Sequence, residues 1–221
     1  MALITNKSIF YHIPKTGGTW VGFAMRNSMK DNKDFKLKRT DDYHDKSLEG
    51  SITDLLGLDK AHVTPWKVAD KQKKGLFSFA IIRKPFEWYR SWWVNRTYVY
   101  ARKKDWREFL LDYAFDPNFE QFIENAIEMF PMGALTFMYQ NYLGQDGKLL
   151  DFVGRQENLA EDTIKALKKA GEEFNEDVIR HLEKVNTSKS RNLDSPLDID
   201  SSLKRKLNRR EKWILDKFYD D

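Results

Sequence analysis

The chain contains no cysteine. That absence removes disulfide bridges, thiolate metal sites and a cysteine nucleophile together, and it fits a reducing compartment. Long apolar runs are missing too. No stretch of about 18 apolar residues occurs, so no membrane-spanning helix is expected. The opening residues Met1-Ala2-Leu3-Ile4-Thr5-Asn6-Lys7 hold no apolar segment of signal-peptide length. The expectation is a soluble, cytoplasmic protein with no membrane partner. Charge of one sign is scarce: Lys and Arg outnumber Asp and Glu by only 38 to 34, a formal +4. So small an excess does not argue for nucleic acid, although it suits an anionic ligand if it is local. The four histidines make no H-E-x-x-H and no pair at helical ligand spacing, so no metal site is expected. Internal repeats, low-complexity tracts and linkers are lacking, and residues 1–221 read as one domain.

A chain of 221 residues buries roughly 70% of the surface it exposes when unfolded, enough for a core without staples. Seven tryptophans supply much of that core, because large rings dominate burial. Ser8-Ile9-Phe10-Tyr11-His12-Ile13 is a β-favouring run that stops at Pro14, and the stretch from Thr19 to Met29 suits a helix. Leu76-Phe77-Ser78-Phe79-Ala80-Ile81-Ile82 is the clearest strand. It ends at Arg83-Lys84-Pro85, after which Trp88, Tyr89, Trp92 and Trp93 lie at helical spacing and read as core. Phe119, Phe122, Ile123, Ala126, Ile127 and Phe130 form an amphipathic stripe. A strand is expected over Leu149–Val153, a helix capped by Asn158, and a last helix from Ser201 whose Lys204-Arg205-Lys206 and Arg209-Arg210 form its wet face. Residues 30–50 read as a polar connection, Ser51-Ile52-Thr53-Asp54 as a capping box, and Ala61-His62-Val63-Thr64 as a short β-like segment. Two strand–loop–helix units about 70 residues apart predict an α/β domain, P-loop-like, with a central mostly parallel sheet flanked by helices.

The first loop, Pro14-Lys15-Thr16-Gly17-Gly18-Thr19-Trp20, has the makings of an anion site. Its glycines let backbone N–H groups approach oxygens, the helix N-terminus adds about half a positive charge, Lys15 adds a full one, and Thr16 and Thr19 carry hydroxyls. An ordinary β–α turn is the plainer reading of the same glycines. The residue order excludes a nucleotide-triphosphate loop, where lysine follows the last glycine; here Lys15 precedes Gly17-Gly18.

His12-Ile13-Pro14-Lys15-Thr16-Gly17-Gly18-Thr19 resembles the 5′-phosphosulfate loop of sulfotransferases, most closely the carbohydrate 2-O-sulfotransferase branch. The second unit agrees: Arg83 ends a strand and Ser91 stands eight residues later, as in the family's 3′-phosphate site. The resemblance implies a donor, 3′-phosphoadenosine-5′-phosphosulfate (PAPS), with adenosine 3′,5′-bisphosphate (PAP) as product and no metal. It implies a hydroxyl or amine acceptor, in this branch a carbohydrate. Pro14, Lys15, Thr16, Gly17, Gly18, Thr19, Trp20, Arg83 and Ser91 are its cofactor residues. Lys189 and Arg191, in the polar stretch Asn186-Thr187-Ser188-Lys189-Ser190-Arg191-Asn192, fall where the family folds a loop over the nucleotide; a solvated loop is the alternative. Gly154-Arg155-Gln156-Glu157 is similar to a late family segment, or is a plain strand-to-helix junction with an Arg–Glu pair.

Transfer needs a base with pKa near neutrality, which suits histidine. His12 reads as packed within the first strand, while His44 and His181 read as surface. A lone His62 would be structural, but it lies 21 residues before Arg83, where the resemblance places a catalytic base. Lys15 is the second catalytic candidate, neutralising charge on the leaving phosphate. Other branches use a glutamate, which brings in Glu49 and Glu87. Arg96, Arg102 and Lys103 either meet an acidic acceptor or face water, and the polar stretch 30–50 and the helices of 104–143 are candidate acceptor walls. Two rival functions predict different features: a P-loop kinase, a Walker lysine and an acidic Mg²⁺ ligand at a strand end; a basic polyanion-binding module, concentrated positive charge.

Overall fold

A computed structural model describes residues 2–32, 38–39, 62–97, 109–183 and 197–220. Its centre is a sheet of order β3-β1-β2-β4-β5, with β1 Ala2–Ile4, β2 Ser8–Tyr11, β3 Lys38–Arg39, β4 Phe77–Ile82 and β5 Phe152–Arg155. The strands β2, β4 and β5 are mutually parallel. At the other edge β1 runs antiparallel to β2, and β3 antiparallel to β1. The domain is thus α/β with a mostly parallel functional half, as expected. The stretch 30–50, read as a polar connection, contributes the short strand β3. The described segment from His62 to Thr64 forms no strand; it runs into a 3₁₀ turn at Pro65–Lys67.

Side chains alternate across each strand, and both faces are covered. Ile9, Tyr11, Ala80 and Ile82 point into the larger cluster with Trp88, Trp92, Phe122 and Tyr139. Leu3, Phe10, Phe79 and Ile81 point into the smaller one with Val21, Met25, Ile164 and Leu167. The helices are α1 Gly18–Ser28, α2 Asp70–Lys73, α3 Pro85–Asn95, α4 Phe119–Met129, α5 Ala134–Leu143, α6 Leu159–Lys169, α7 Glu176–Arg180, α8 Ser201–Arg210 and α9 Lys212–Phe218. None of the described helices is long and apolar enough to cross a membrane.

The aromatic run of α3 is core, as its spacing indicates: Trp88, Tyr89, Trp92 and Trp93 are all buried. The stripe beginning at Phe119 is α4, capped by the Asn118 side chain, which accepts from the Gln121 N–H. Three expectations need adjustment. The strand expected over Leu149–Val153 starts later, at Phe152, because Asp151 is occupied in capping the neighbouring strand; it accepts from the Ser78 N–H and hydroxyl, each at 2.7 Å. The last helix is broken at Glu211, whose carboxylate turns inward. Arg96, a candidate to meet an acidic acceptor, is instead 3% exposed. Its Nε donates to Asp112 at 2.6 Å, and its guanidinium covers the Trp92 and Phe109 rings. Elsewhere the basic face of α8 is exposed while Leu203 and Leu207 are buried.

Candidate active site

Parallel pairing of β2 with β4, in register from Ser8↔Phe77 to Tyr11↔Ala80, brings the two loops side by side at the C-terminal sheet edge, where open α/β sheets bind ligands. The first loop turns tightly. Lys15 takes φ 64° and Gly17 φ 92°, so two left-handed residues stand nearly together. Glycine tolerates this freely and lysine does so at a cost. The Thr16 hydroxyl donates to the Ile13 carbonyl at 2.9 Å and is fully buried. It therefore shapes the turn, and its proton does not face a ligand. Gly17 caps α1 in the left-handed conformation, and the first helical bond into the cap runs from the Val21 N–H to the Gly17 carbonyl. The amides of Gly18, Thr19 and Trp20 are thus the helix's outward donors. Thr19 is exposed, whereas the Trp20 ring lies in the core with its indole N–H donating to the Glu183 carbonyl. Trp20 thus has its backbone amide at the loop and its ring away from it.

Gly18 is glycine for a reason of space. A methyl group there would meet His12 Cδ2 at 1.9 Å and Nε2 at 2.4 Å. His12 therefore lies flat under the helix start. Burial, with the nearby His62 and Lys15, holds its pKa well below the ordinary imidazole value, so it is neutral. Its ring meets that of His62 edge-on, with centroids 4.9 Å apart.

His62 is held at two points. Its Nδ1 lies 3.2 Å from the His12 carbonyl oxygen. A carbonyl only accepts, so Nδ1 carries the proton and Nε2 the lone pair. Its own carbonyl accepts from the Tyr142 hydroxyl at 2.7 Å.

The second loop is fixed from outside. The Tyr139 hydroxyl accepts from the Arg83 N–H at 2.8 Å and donates to the Arg83 carbonyl at 3.1 Å. Burial pushes this phenol's pKa up, so it remains a neutral donor. Glu157 accepts from the Lys84 N–H at 2.9 Å and from the Tyr219 hydroxyl at 3.1 Å. The Arg155 guanidinium lies over the Tyr219 ring, 5.1 Å from its centroid. The segment Gly154–Glu157 is thus a strand-to-helix junction, and its glutamate binds the second loop.

The Arg83 side chain reaches back to the first loop, its Nη1 3.4 Å from the Lys15 carbonyl. Trp88 reaches the same loop, donating from Nε1 to the Pro14 carbonyl at 2.8 Å. Glu87 takes a 2.5 Å bond from Arg90 and stands 3.7 Å from Arg83. Engaged by two arginines, it is poorly placed as a base. Burial lowers the Arg83 pKa, though not enough to discharge a guanidinium. Its Nε is buried with no partner among the described residues, an orphaned donor of the kind an absent anion satisfies. Ser91 lies on the half-exposed side of α3 with Glu87, one turn earlier.

The structure therefore joins Pro14–Trp20, Arg83 and His62 at one edge. Lys189, Arg191, Glu49, His44, Arg102, Lys103 and the capping box at 51–54 lie outside the described residues. His181 is exposed at the end of α7. Tyr139, Tyr142 and Glu157 were missed as site residues. The available signal was that a phenol on a buried helix face must find a partner.

The sequence model of the sulfotransferase family matches residues 4–217. The chain belongs to the sulfotransferase family. No curated protein and no solved structure matches it. Membership makes sulfuryl transfer the general activity.

Proposed function

We propose that this sulfotransferase uses PAPS as donor and carries the sulfuryl group in line to a carbohydrate hydroxyl, with His62 as base. The observation that carries the reading is the arrangement at Arg83. A part-buried guanidinium, whose buried Nε has no partner among the described residues, faces the loop that opens α1. The first helical amides there make no bond within the helix, so two candidate anion-binding devices adjoin. PAPS has anionic groups at both its 3′ and 5′ positions, and these residues fit it. Lys15 and the amides of Gly17, Gly18, Thr19 and Trp20 would hold the 5′ side; Arg83 and Ser91 would hold the 3′-phosphate. Pro14 and Thr16 set the shape of the turn, and Lys189 and Arg191 complete the nucleotide site in this reading.

The bound donor supplies an activated sulfuryl group with a phosphate as its leaving group. The chain's own work is positioning and electrostatics. Lys15 and the N-terminus of α1 favour negative charge at the leaving oxygen. His62, with Nδ1–H directed to the His12 carbonyl, would take the acceptor's proton at Nε2. His12 remains neutral, so it adds no charge that would oppose His62 becoming cationic. The carbohydrate acceptor rests on the likeness of residues 12–19 and of the His62 position to the 2-O-sulfotransferase branch.

The test is a thermal-shift and calorimetric titration. PAP is expected to raise the melting temperature and ATP–Mg²⁺ to leave it unchanged; the opposite result returns the loop to a kinase. Lys15→Ala and Arg83→Ala should each weaken PAP, and unchanged affinity in both removes the site. His62→Ala should bind PAP normally yet transfer nothing when carbohydrate acceptors are screened with PAPS by mass spectrometry.

A further inference from the structure

The two groups that the proposed chemistry needs most, Arg83 and His62, stand on separate segments, yet one helix holds both. Tyr139 and Tyr142 stand one turn apart on α5, on its buried face. Tyr139 grips both backbone groups of Arg83. Tyr142 grips the carbonyl of His62. We propose that Tyr139 and Tyr142 are positioning residues. In this role α5 acts as a rigid gauge, setting the distance between the 3′-phosphate site and the base.

Two further observations support a gauge over ordinary packing. First, both hydroxyls bind main chain at the functional residues themselves, and neither ring lies at the crevice; both are fully buried. Second, α5 is fixed lengthwise at its start. Glu211, itself fully buried, accepts from the Leu135 N–H at 3.1 Å, the Thr136 N–H at 2.7 Å and the Thr136 hydroxyl at 2.6 Å. It also takes the Tyr89 hydroxyl at 2.7 Å, and Tyr89 belongs to α3, the helix that follows Arg83. Gly133, at φ 82°, admits the carboxylate, for a Cβ there would lie 2.5 Å from Glu211 Oε2. One carboxylate thus locks α5 to α3 at one end, and the two tyrosines set the reach at the other. The roles divide cleanly: Tyr139 serves donor recognition and Tyr142 serves the base.

This inference rests on the donor and base assignments above, and its test separates the two. PAP and adenosine 5′-monophosphate, which lacks the 3′-phosphate, are titrated calorimetrically into the full chain. The His62 imidazole is followed by NMR over a pH series. Wild type should prefer PAP; equal affinity for the two ligands overturns the donor reading and the gauge with it. Tyr139→Phe, which keeps the ring, should weaken PAP about tenfold, the loss expected for roughly one buried hydrogen bond, and leave adenosine 5′-monophosphate within about twofold. In an Arg83→Ala background the same substitution should cost no further affinity, because coupled residues are not additive. Tyr142→Phe should keep the PAP preference intact while displacing the His62 titration midpoint. If Tyr139→Phe weakens both ligands alike, or neither, the tyrosine is mere packing and the proposal fails. It fails equally if Tyr142→Phe erodes the PAP preference or leaves the His62 titration where it was.

Discussion

The two strand–loop–helix units of this protein meet at one edge but are built on opposite plans. The first, from Ser8 through α1, takes its turn from its own residues, with Trp88 and Arg83 of the second unit donating to its Pro14 and Lys15 carbonyls. Its turn comes from Lys15 and Gly17 in left-handed conformations, its brace from the Thr16 hydroxyl on Ile13, and its close fit from Gly18 over His12. The second, from Phe77 through α3, has no glycine in its loop. Arg83 and Lys84 keep their course because Tyr139 and Glu157 hold their backbone from other elements. In the proposed site, the self-shaped loop would present main-chain donors to an anion and the externally held loop a side chain. The contrast shows that one site can combine local and distributed preorganisation.

Substitutions can break that contrast, and the largest effect should come from the distributed side. Glu211→Ala strands four buried donors and should destabilise the fold by about 4 kcal/mol or more, since each unsatisfied group costs about 1–3. Chemical denaturation measures the loss. Gly18→Ala attacks the self-shaped side. The added methyl drives against His12, so about 1–3 kcal/mol of stability should go, and PAP binding with it, read by calorimetry.

A pH series should give a smaller effect. His12 has a folded-state pKa below its unfolded value near 6.5, so the unfolded chain takes up its proton first. Its contribution is complete above that value. Stability should decline by roughly 1.4 kcal/mol per pH unit as pH falls from 6.5 toward the folded pKa. Glu211, raised by burial, acts with the opposite sign, losing stability as pH rises above its ordinary carboxylate value. The melting difference between wild type and His12→Gln isolates the histidine, and a flat difference across this window refutes its neutrality. Smallest of all should be Lys15→Gly. Relief of the positive φ and the greater freedom of the unfolded chain nearly cancel, leaving stability within about 1 kcal/mol, while PAP affinity falls with the lost charge. A large stability change there would show that the lysine side chain, and not the turn, holds the first unit.

The same contrast explains what could be read from the sequence. The first loop was legible because its devices are neighbours: a buried strand, Pro14, Lys15 and two glycines in a row announce a turn into a helix. The Arg83 strand was legible from its apolar run, and the wet face of α8 from its spacing. What holds the second loop was not. Tyr139 acts 56 residues from Arg83 and Tyr142 80 residues from His62, and nothing local to a tyrosine tells which backbone it will meet. Arg96 misleads for a related reason: charge alone suggests a surface role, and its partner Asp112 stands 16 residues away. The late onset of β5 and the break at Glu211 likewise depend on side chains turned toward distant elements.

Glu211 gives the site a place in time as well as in space. Synthesis runs from the N-terminus, and residues 8–19 and 77–95 can leave the ribosome long before residue 211. Until that carboxylate arrives, the start of α5 lacks the acceptor for the Leu135 and Thr136 amides, and the helix holding Arg83 and His62 is not yet locked to α3. The nascent chain therefore holds its first loop early, but α5 is locked to α3 only once residue 211 has emerged.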